Sequence, residues 1–294
     1  MSTRTTGVVV TGAAVLLPGA DSVRALAQGP AAGGDPVEPA THVGRKGLRY
    51  KDRATQLGYA LTSAALRDAG LLEGEKDGTL TVAAETVGVV ASSNFGNLDT
   101  VARALDTIRE ETVTATSPMD LPNASSNVIA SSAAIRYGLR GPNLMVCNGE
   151  TSGLDAVHWA TTMIASGRVD RALVLGVEPD NDVVRKLLGG GHAVDGGAAL
   201  VLEAAAAAED RGAAVRARIG AYRRSAGEQG ADQGRRWRLP EHSGRASGAN
   251  GVIQCAAAVG RFDAGDREPA HAVVGGAGDD ASAGLVLLAP GAAR

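Results

Sequence analysis

An α/β fold of stacked sheets and helices follows from three features of this 294-residue sequence. Apolar runs of strand length alternate with segments whose apolar residues recur at helical spacing, the pattern of sheets flanked by helices. A hydrophobic content of 44% at this length is enough for a large core. Forty glycines against an aromatic content of 3%, with many Ala and Val residues, favour close-packed helices on sheets over an aromatic-rich binding surface.

In chain order, Val8 to Ala14 reads as a buried strand closed by Pro18-Gly19. Asp21 to Glu38 is a Gly- and Pro-rich loop with a short helical piece over Val23 to Ala27. Between Tyr50 and Leu72, the residues Leu57, Ala60, Leu61, Ala64, Ala65 and Leu66 fall at helical spacing, and Gly70 marks the end. Val87 to Ser92 is strand-like, Leu98 to Arg109 and Asn123 to Tyr137 are helical, and Leu144 to Cys147 is strand-like, an alternation that implies a parallel sheet. A helix over Ser152 to Ala165, buried strands over Ala172 to Val177 and Ala198 to Glu203, and a helix over Ala204 to Arg211 come next. Val215 to Tyr222 is a further strand, whereas Ser225 to Arg238 is polar, lacks periodicity and reads as a loop. Gly248 to Val259 is helical, and Ala272 to Val274 and Gly284 to Ala289 are short strands. No short internal repeat is present.

Twenty-nine Lys and Arg against 32 Asp and Glu leave a formal charge of -3, so no field of one sign gathers nucleic acid or an anionic membrane. The apolar stretch near the N-terminus stops at Pro18, too short for a span and without a cleavage site, and a cytoplasmic protein is expected. Cys147 and Cys255 could form one bridge at most. Neither has metal-ligand spacing to a second Cys or a His, so reduced thiols and no metal are expected.

Three stretches carry a family resemblance: Arg49-Tyr50-Lys51-Asp52-Arg53 opening the first long helix, Tyr137-Gly138-Leu139-Arg140-Gly141-Pro142 before a strand, and the run from Asp195-Gly196-Gly197 to Glu203. With the block Ser117 to Pro142 they resemble the β-ketoacyl synthases of the thiolase superfamily over most of the first two-thirds of the chain. The resemblance implies a thiolase-like layered α-β-α-β-α fold. An N-terminal half spans 1–205 and a shortened, truncated C-terminal half spans 206–294, the two forming one structural unit.

In that family the strand after Gly-Pro leads to a sharp turn bearing the catalytic cysteine. Glu150 stands at the corresponding position, followed by Thr151, Ser152 and Gly153. A cysteine at a helix N-terminus has a lowered pKa and accepts an acyl chain from a carrier thioester. A carboxylate cannot, because an acyl-carboxylate anhydride is far more activated than the incoming thioester. The favoured reading makes Glu150 a cap, worth roughly 0.3–1 kcal/mol against the helix dipole, or the partner of a buried cation. Cys147, three residues earlier, is expected within the buried strand as a core thiol.

The family also carries two histidines, one in an HGT-type loop and one in a GH dipeptide before a Gly-rich helix. That helix resembles SGRASGANGVIQCAAAV, in which Arg245 follows Gly244 where the histidine would stand, and the HGT loop has no counterpart between Tyr222 and Trp237. A permanently charged guanidinium cannot supply an imidazole's tunable proton. His242 precedes Gly244 by two positions, His158 lies in the helix after Glu150, and His192 sits in the Gly189-Gly190-Gly191 loop. With His42 and His271, none of them makes a triad with Cys147 or Ser152 at a defensible spacing. Between Glu178 and Asp195, where ketosynthases carry a long insertion over the active-site mouth, a short Gly-rich linker remains.

The resemblance thus implies a disarmed ketosynthase, similar to the chain-length-factor subunits of type II polyketide synthases, with no catalytic residue and no cofactor of its own. Its expected partners are an active ketosynthase, joined as a heterodimer through edge strands near the turn, and an acyl carrier protein whose phosphopantetheine-borne chain the partner binds. Met119, Asp120, Asn123 and Asn127 are the candidates for the tunnel and interface. Chain length factors usually have Gln at the turn where Glu150 stands, and the short chain points to a divergent branch such as one serving polyene or other reduced chains. Two alternatives remain: a malonyl-carrier-protein decarboxylase-like priming enzyme, against which the missing histidines weigh, and a standalone acyl-binding homodimer.

Overall fold

In the computed structural model, which describes residues 7–75, 77–226, 237–275 and 281–291, the first strand, β1 (Val8–Leu16), is buried along its whole length. Neighbours cover both its edges. The chain continues through α1 (Val23–Gln28), α2 (Pro39–Val43), α3 (Arg53–Asp68), the small hairpin β2 (Leu72–Glu73) and β3 (Thr79–Leu80), then β4 (Val87–Ser92), α4 (Leu98–Glu110), α5 (Val128–Tyr137), β5 (Asn143–Val146) and α6 (Ser152–Ala165). It ends with β6 (Arg171–Glu178), α7 (Asp182–Leu187), β7 (Gly196–Ala204), α8 (Ala205–Asp210), β8 (Ala217–Ala226), α9 (Asn250–Asp263), β9 (Ala270–Gly275) and β10 (Ala281–Leu288). Eight of these strands form one sheet in the order β5-β4-β6-β7-β1-β8-β10-β9.

The sheet is mixed, which corrects the parallel sheet expected from the alternation. β4 runs parallel to β5 and β6, but β6–β7, β7–β1 and the remaining pairs are antiparallel. The cause lies between β6 and β7. A parallel return needs a crossover laid over the sheet, whereas α7 packs on α4, so the chain comes back antiparallel.

Helices α3 and α5 cover one face of the first five strands, with Leu57, Leu61, Leu66, Ile129, Leu173 and Leu175 fully buried between them. α6 and α9 cover the other face through Leu154, Val157, Val252 and Ile253. β8, β10 and β9 twist away from β1, which they meet at only two register pairs, and turn Ile219, Ala272, Val274, Leu285 and Leu287 onto the same helix layer. A mixed α/β fold with helices on both faces of the sheet is therefore present, and β8, β10 and β9 continue that one sheet past β1 among the described residues.

The family motifs have structural work. Asp52 caps α3 by accepting from Thr55 N at 2.8 Å. Arg53 donates to Asp195 at 2.7 and 3.0 Å, tying the motif at α3 to the one before β7. Gly197 has no room for a side chain, since a Cβ there would lie 1.9 Å from the carbonyl oxygen of Gly176 on β6.

Three boundaries differ from the sequence reading. The helix expected from Asn123 starts at Val128, because Leu121–Ala124, with Pro122 in it, forms a separate single turn. The 178–195 linker holds α7, whose start is capped by the Asn181 side chain. β8 runs through Ser225 to Ala226, paired with β10, so the expected loop begins later; residues 227–236 of that loop lie outside the described residues.

Where α6 crosses α9, two glycines meet: a Cβ on Gly153 would sit 2.8 Å from Gly251 N and from Gly248 O. Gly153→Ala is expected to destabilise the fold by about 1–3 kcal/mol, as overpacked sites do. Urea unfolding should show a lower midpoint at unchanged slope. An unchanged midpoint would mean that the crossing has slack.

Candidate functional site

The turn at the family's nucleophile position connects β5, an outermost strand of the sheet, to α6. Gly149 takes φ +87° there, which lets Glu150 turn back over the start of α9. Its carboxylate accepts from Arg245 Nη2 at 2.8 Å and from Nε at 3.3 Å. The two residues that the resemblance sets at the cysteine and GH-histidine positions are thus paired with one another. Arg245 is 59% exposed and Glu150 18%, so the cation partnering Glu150 faces solvent instead of being buried as expected. The Arg245 backbone is held by a bond from its N to His192 O at 2.8 Å.

Beneath the pair lies a polar network. Asn94, just after β4, donates from Nδ2 to Gly149 O at 2.9 Å and to Ser247 Oγ at 2.8 Å. Ser152 Oγ is buried among Asn148 Oδ1 at 2.7 Å, Gly149 O at 2.7 Å and Asn94 Oδ1 at 3.1 Å, and accepts from Asn148 N. That hydroxyl fastens the turn and is not poised beside a base. Asp155, one turn into α6, accepts from Asn148 Nδ2 at 2.6 Å, Thr151 Oγ1 at 2.8 Å and the Tyr222 hydroxyl. Burial and then Asp155 hold the Tyr222 phenol above its ordinary range. His158 stacks on the Tyr222 ring at 4.2 Å, and burial pushes its imidazole down.

Glu178, at the end of β6, is fully buried. It accepts from Asn94 N at 2.7 Å, Gly248 N at 2.8 Å, Ser93 Oγ at 2.9 Å and Phe95 N at 2.9 Å. Burial pushes its carboxyl up to about 7, against the lowering effect of those four bonds. Past the ion pair opens a cleft of about 630 Å³ lined by Glu150, Arg245, Trp237, Arg238, Asn250 and Gln254. A carboxylate bound to a guanidinium offers no thiolate nucleophile.

Cys147 departs from expectation: it lies beyond the end of β5, exposed, not in the core. An edge strand that stops at Val146 leaves the next side chain outside the sheet. Burial of part of the side chain and the Glu178 charge push its thiol up, leaving little thiolate. Cys255, fully buried on α9, is pushed up to about 12; both thiols are free. Of the remaining histidines, His192 lies 3.3 Å from Asp180 Oδ2 and His242 3.2 Å from Pro30 O.

Met119 is 55% exposed, Asn127 is exposed, and Asp120 is half-buried beside Arg103 at 3.6 Å. Asn123 is buried, its amide donating to Tyr50 O at 2.7 Å and Met119 O at 3.0 Å and accepting from Lys51 Nζ at 3.1 Å. It shapes the segment from within. Sequence reasoning missed Asn94, Asp155 and Glu178. The available signal for Glu178 was a lone carboxylate closing an otherwise apolar strand.

The layering and the turn give a mixed α/β fold of the thiolase-like ketosynthase kind. Residues 41–185 match the family described as β-ketoacyl synthase, N-terminal domain. The 3-oxoacyl-(acyl-carrier-protein) synthase 2 of Vibrio cholerae serotype O1 is 31% identical over 137 residues, 47% of this chain and 32% of that protein. A Streptomyces violaceoruber protein named as granaticin polyketide β-ketoacyl synthase 1 is 31% identical over 202 residues, 60% of this chain and 48% of that protein. The matched region thus spans about a third to a half of these curated relatives. Among solved structures, the ishigamide ketosynthase/chain length factor has a TM-score of 0.77 at 21% identity, covering 98% of this chain and 100% of that one. A type II polyketide synthase acyl-carrier protein in complex with its ketosynthase bound to the hexaketide has a TM-score of 0.78 at 14% identity, covering 96% and 99%. At such identities these likenesses establish the fold.

The network, more than the exposed ion pair, is expected to hold the turn. Arg245→Ala should lower stability by less than about 1 kcal/mol, and Asn94→Ala, which strips partners from buried groups, by about 1–3 kcal/mol. A denaturant series on both variants decides, and equal losses would return that role to the ion pair.

Proposed function

We propose that this chain is a noncatalytic, chain-length-factor-like subunit that pairs with an active β-ketoacyl synthase in type II polyketide biosynthesis and shapes the partner's acyl tunnel. The observation that carries the reading is the Glu150–Arg245 ion pair. By the resemblance it stands at the two positions at which the family's cysteine and GH histidine work, and it puts an ion pair there in place of a thiol and an imidazole.

The surface beside the turn supports a partner. β5 ends the sheet, and an open strand edge invites a further strand. On the helices packed against it, Ile135 of α5 is 83% exposed and Trp159 of α6 is half-exposed, with Leu144 of β5 exposed between them. Nearby α4 turns Leu105 and Ile108 outward, and Val113, Met119 and Leu121 follow them at the surface. Apolar residues grouped around one sheet edge mark a protein interface, and obligate interfaces of this kind bury roughly 2,000–5,000 Å². In this reading Met119, Asp120 and Asn127 meet the partner's pocket, and Asn123 sets the shape of the segment carrying them. An acyl carrier protein delivers the chain on its phosphopantetheine to the partner's cysteine, so this subunit needs no cofactor. No helix of the described residues is long and apolar enough to cross a membrane.

Co-expression with an active ketosynthase, followed by size-exclusion chromatography with mass determination, tests the proposal. The expected result is a one-to-one complex that elongates acyl chains and loses that activity when this chain is omitted or carries Ile135→Asp with Leu144→Asp. Met119→Trp should shorten the product, and an unchanged product would remove this residue from the tunnel. A homodimer indifferent to the ketosynthase would overturn the pairing, as would decarboxylation of malonyl carrier protein by this chain alone.

A further inference from the structure

We propose that Glu178 is a buried positioning residue, a proton-operated latch between the Glu150 turn and the Arg245 segment, closed while its carboxyl is protonated and loosened when the proton leaves. The inference rests on hydrogen-bond geometry and is independent of the partner reading.

Both arms of the ion pair rest on this one carboxyl. Oε1 accepts from Asn94 N and Gly248 N, and Oε2 from Ser93 Oγ and Phe95 N. Through its side chain Asn94 grips Gly149, next to Glu150, and Ser247, two residues after Arg245. Phe95 packs with Val184 and Ala193, and the neighbouring His192 carbonyl accepts from Arg245 N. Moving the Ser93–Phe95 loop therefore moves the turn and the Arg245 segment relative to each other.

The four partners also say where a proton can sit. Oε1 faces two backbone N–H groups, which cannot accept. The Ser93 hydroxyl is the one partner able to reverse direction, so the acid proton belongs on Oε2, donated to Ser93 Oγ. Without that proton the carboxylate is a buried charge, and among the described residues it has no ion-pair partner. The loop after β4 brings it Ser93, Asn94 and Phe95, the segment before α9 brings Gly248, and the turn brings the neutral Cys147 thiol. The charged groups on the surrounding segments are engaged elsewhere: Glu150 with Arg245, and Asp180 with Arg185. Four donors reduce the cost of burying that charge but supply no counter-ion, and opening the loop to water relieves what remains.

The sign follows from linkage. In the closed form the carboxyl is pushed up to about 7, above the 4.5 of a free glutamate, so the closed form holds a proton that the opened form releases between those values. The stabilisation of the closed form is complete below the free value and is lost as pH rises towards about 7, with no further change above. Linkage limits the change in the opening equilibrium to about tenfold per pH unit.

Native-state hydrogen exchange of the full chain, corrected for intrinsic rates, reads this directly at the amides of Asn94, Phe95 and Gly248. Their opening constants should rise at least about tenfold in total between about pH 5 and pH 7 and then level off. In Glu178→Gln, which stays neutral at every pH although its amide nitrogen cannot accept from Phe95 N, the constants should keep one value across the range. A flat profile in the wild-type chain would overturn the proposal and needs no variant; the same slope in Glu178→Gln would overturn it as well.

Discussion

The arrangement of this molecule depends on how closely α6 and α9 cross. Gly153 on α6 lies against Gly248 and Gly251 with no space for even a methyl group, and that contact sets the start of one helix against the start of the other. The turn before α6 carries Glu150 and the segment before α9 carries Arg245, so two residues 95 positions apart come within hydrogen-bond distance. The rest of the site is scaffolding for this contact. β6 delivers Glu178 beneath it, β4 delivers Asn94 beside it, and the five-stranded part of the sheet holds both at fixed height.

Opposite charges at the two positions explain why the pair can persist without a buried cation. A lone carboxylate at the start of α6 would gain only the modest attraction of a helix N-terminus, and a lone guanidinium at the cleft would remain in water. Together they satisfy one another at small net energy, as half-exposed ion pairs do. The turn does not rely on that energy. Asn94 and Ser152 hold Gly149 by neutral hydrogen bonds, and Ser152 Oγ also accepts from Asn148 N, so the backbone of the turn is fixed without the ion pair.

Much of the fold was legible because its elements are long and periodic. Val87 to Ser92 and Ser152 to Ala165 coincide with β4 and α6, since an all-buried strand and an amphipathic helix each leave a clear apolar pattern. The resemblance singled out Glu150 and Arg245 one by one, but their pairing was illegible, because a contact across layers leaves no local spacing. Strand direction was illegible for a similar reason: β7 turns back because α7 sits on α4, a contact between elements far apart in sequence. Cys147 looked like core because its run is apolar, yet an edge strand is half-exposed whatever its composition. Asn123 looked like a lining residue, while its amide is spent on Tyr50, Met119 and Lys51. A motif locates a side chain on the chain but does not say which way it points.

The contrast between the site and the sheet edge gives the last step. Polar atoms at the site are met by the chain itself: Asp155, Ser152, Asn94 and Glu178 all have their partners within this subunit. At the edge the balance is reversed, with Ile135, Trp159 and Leu144 in water around the outermost strand. An enzyme's site commonly keeps unsatisfied, poised groups for its substrate, while its surface is covered by polar side chains. Here the pocket positions are closed upon themselves and the apolar surface is left open, so the largest exposed apolar side chains of this part of the chain lie at the sheet edge and not in the pocket.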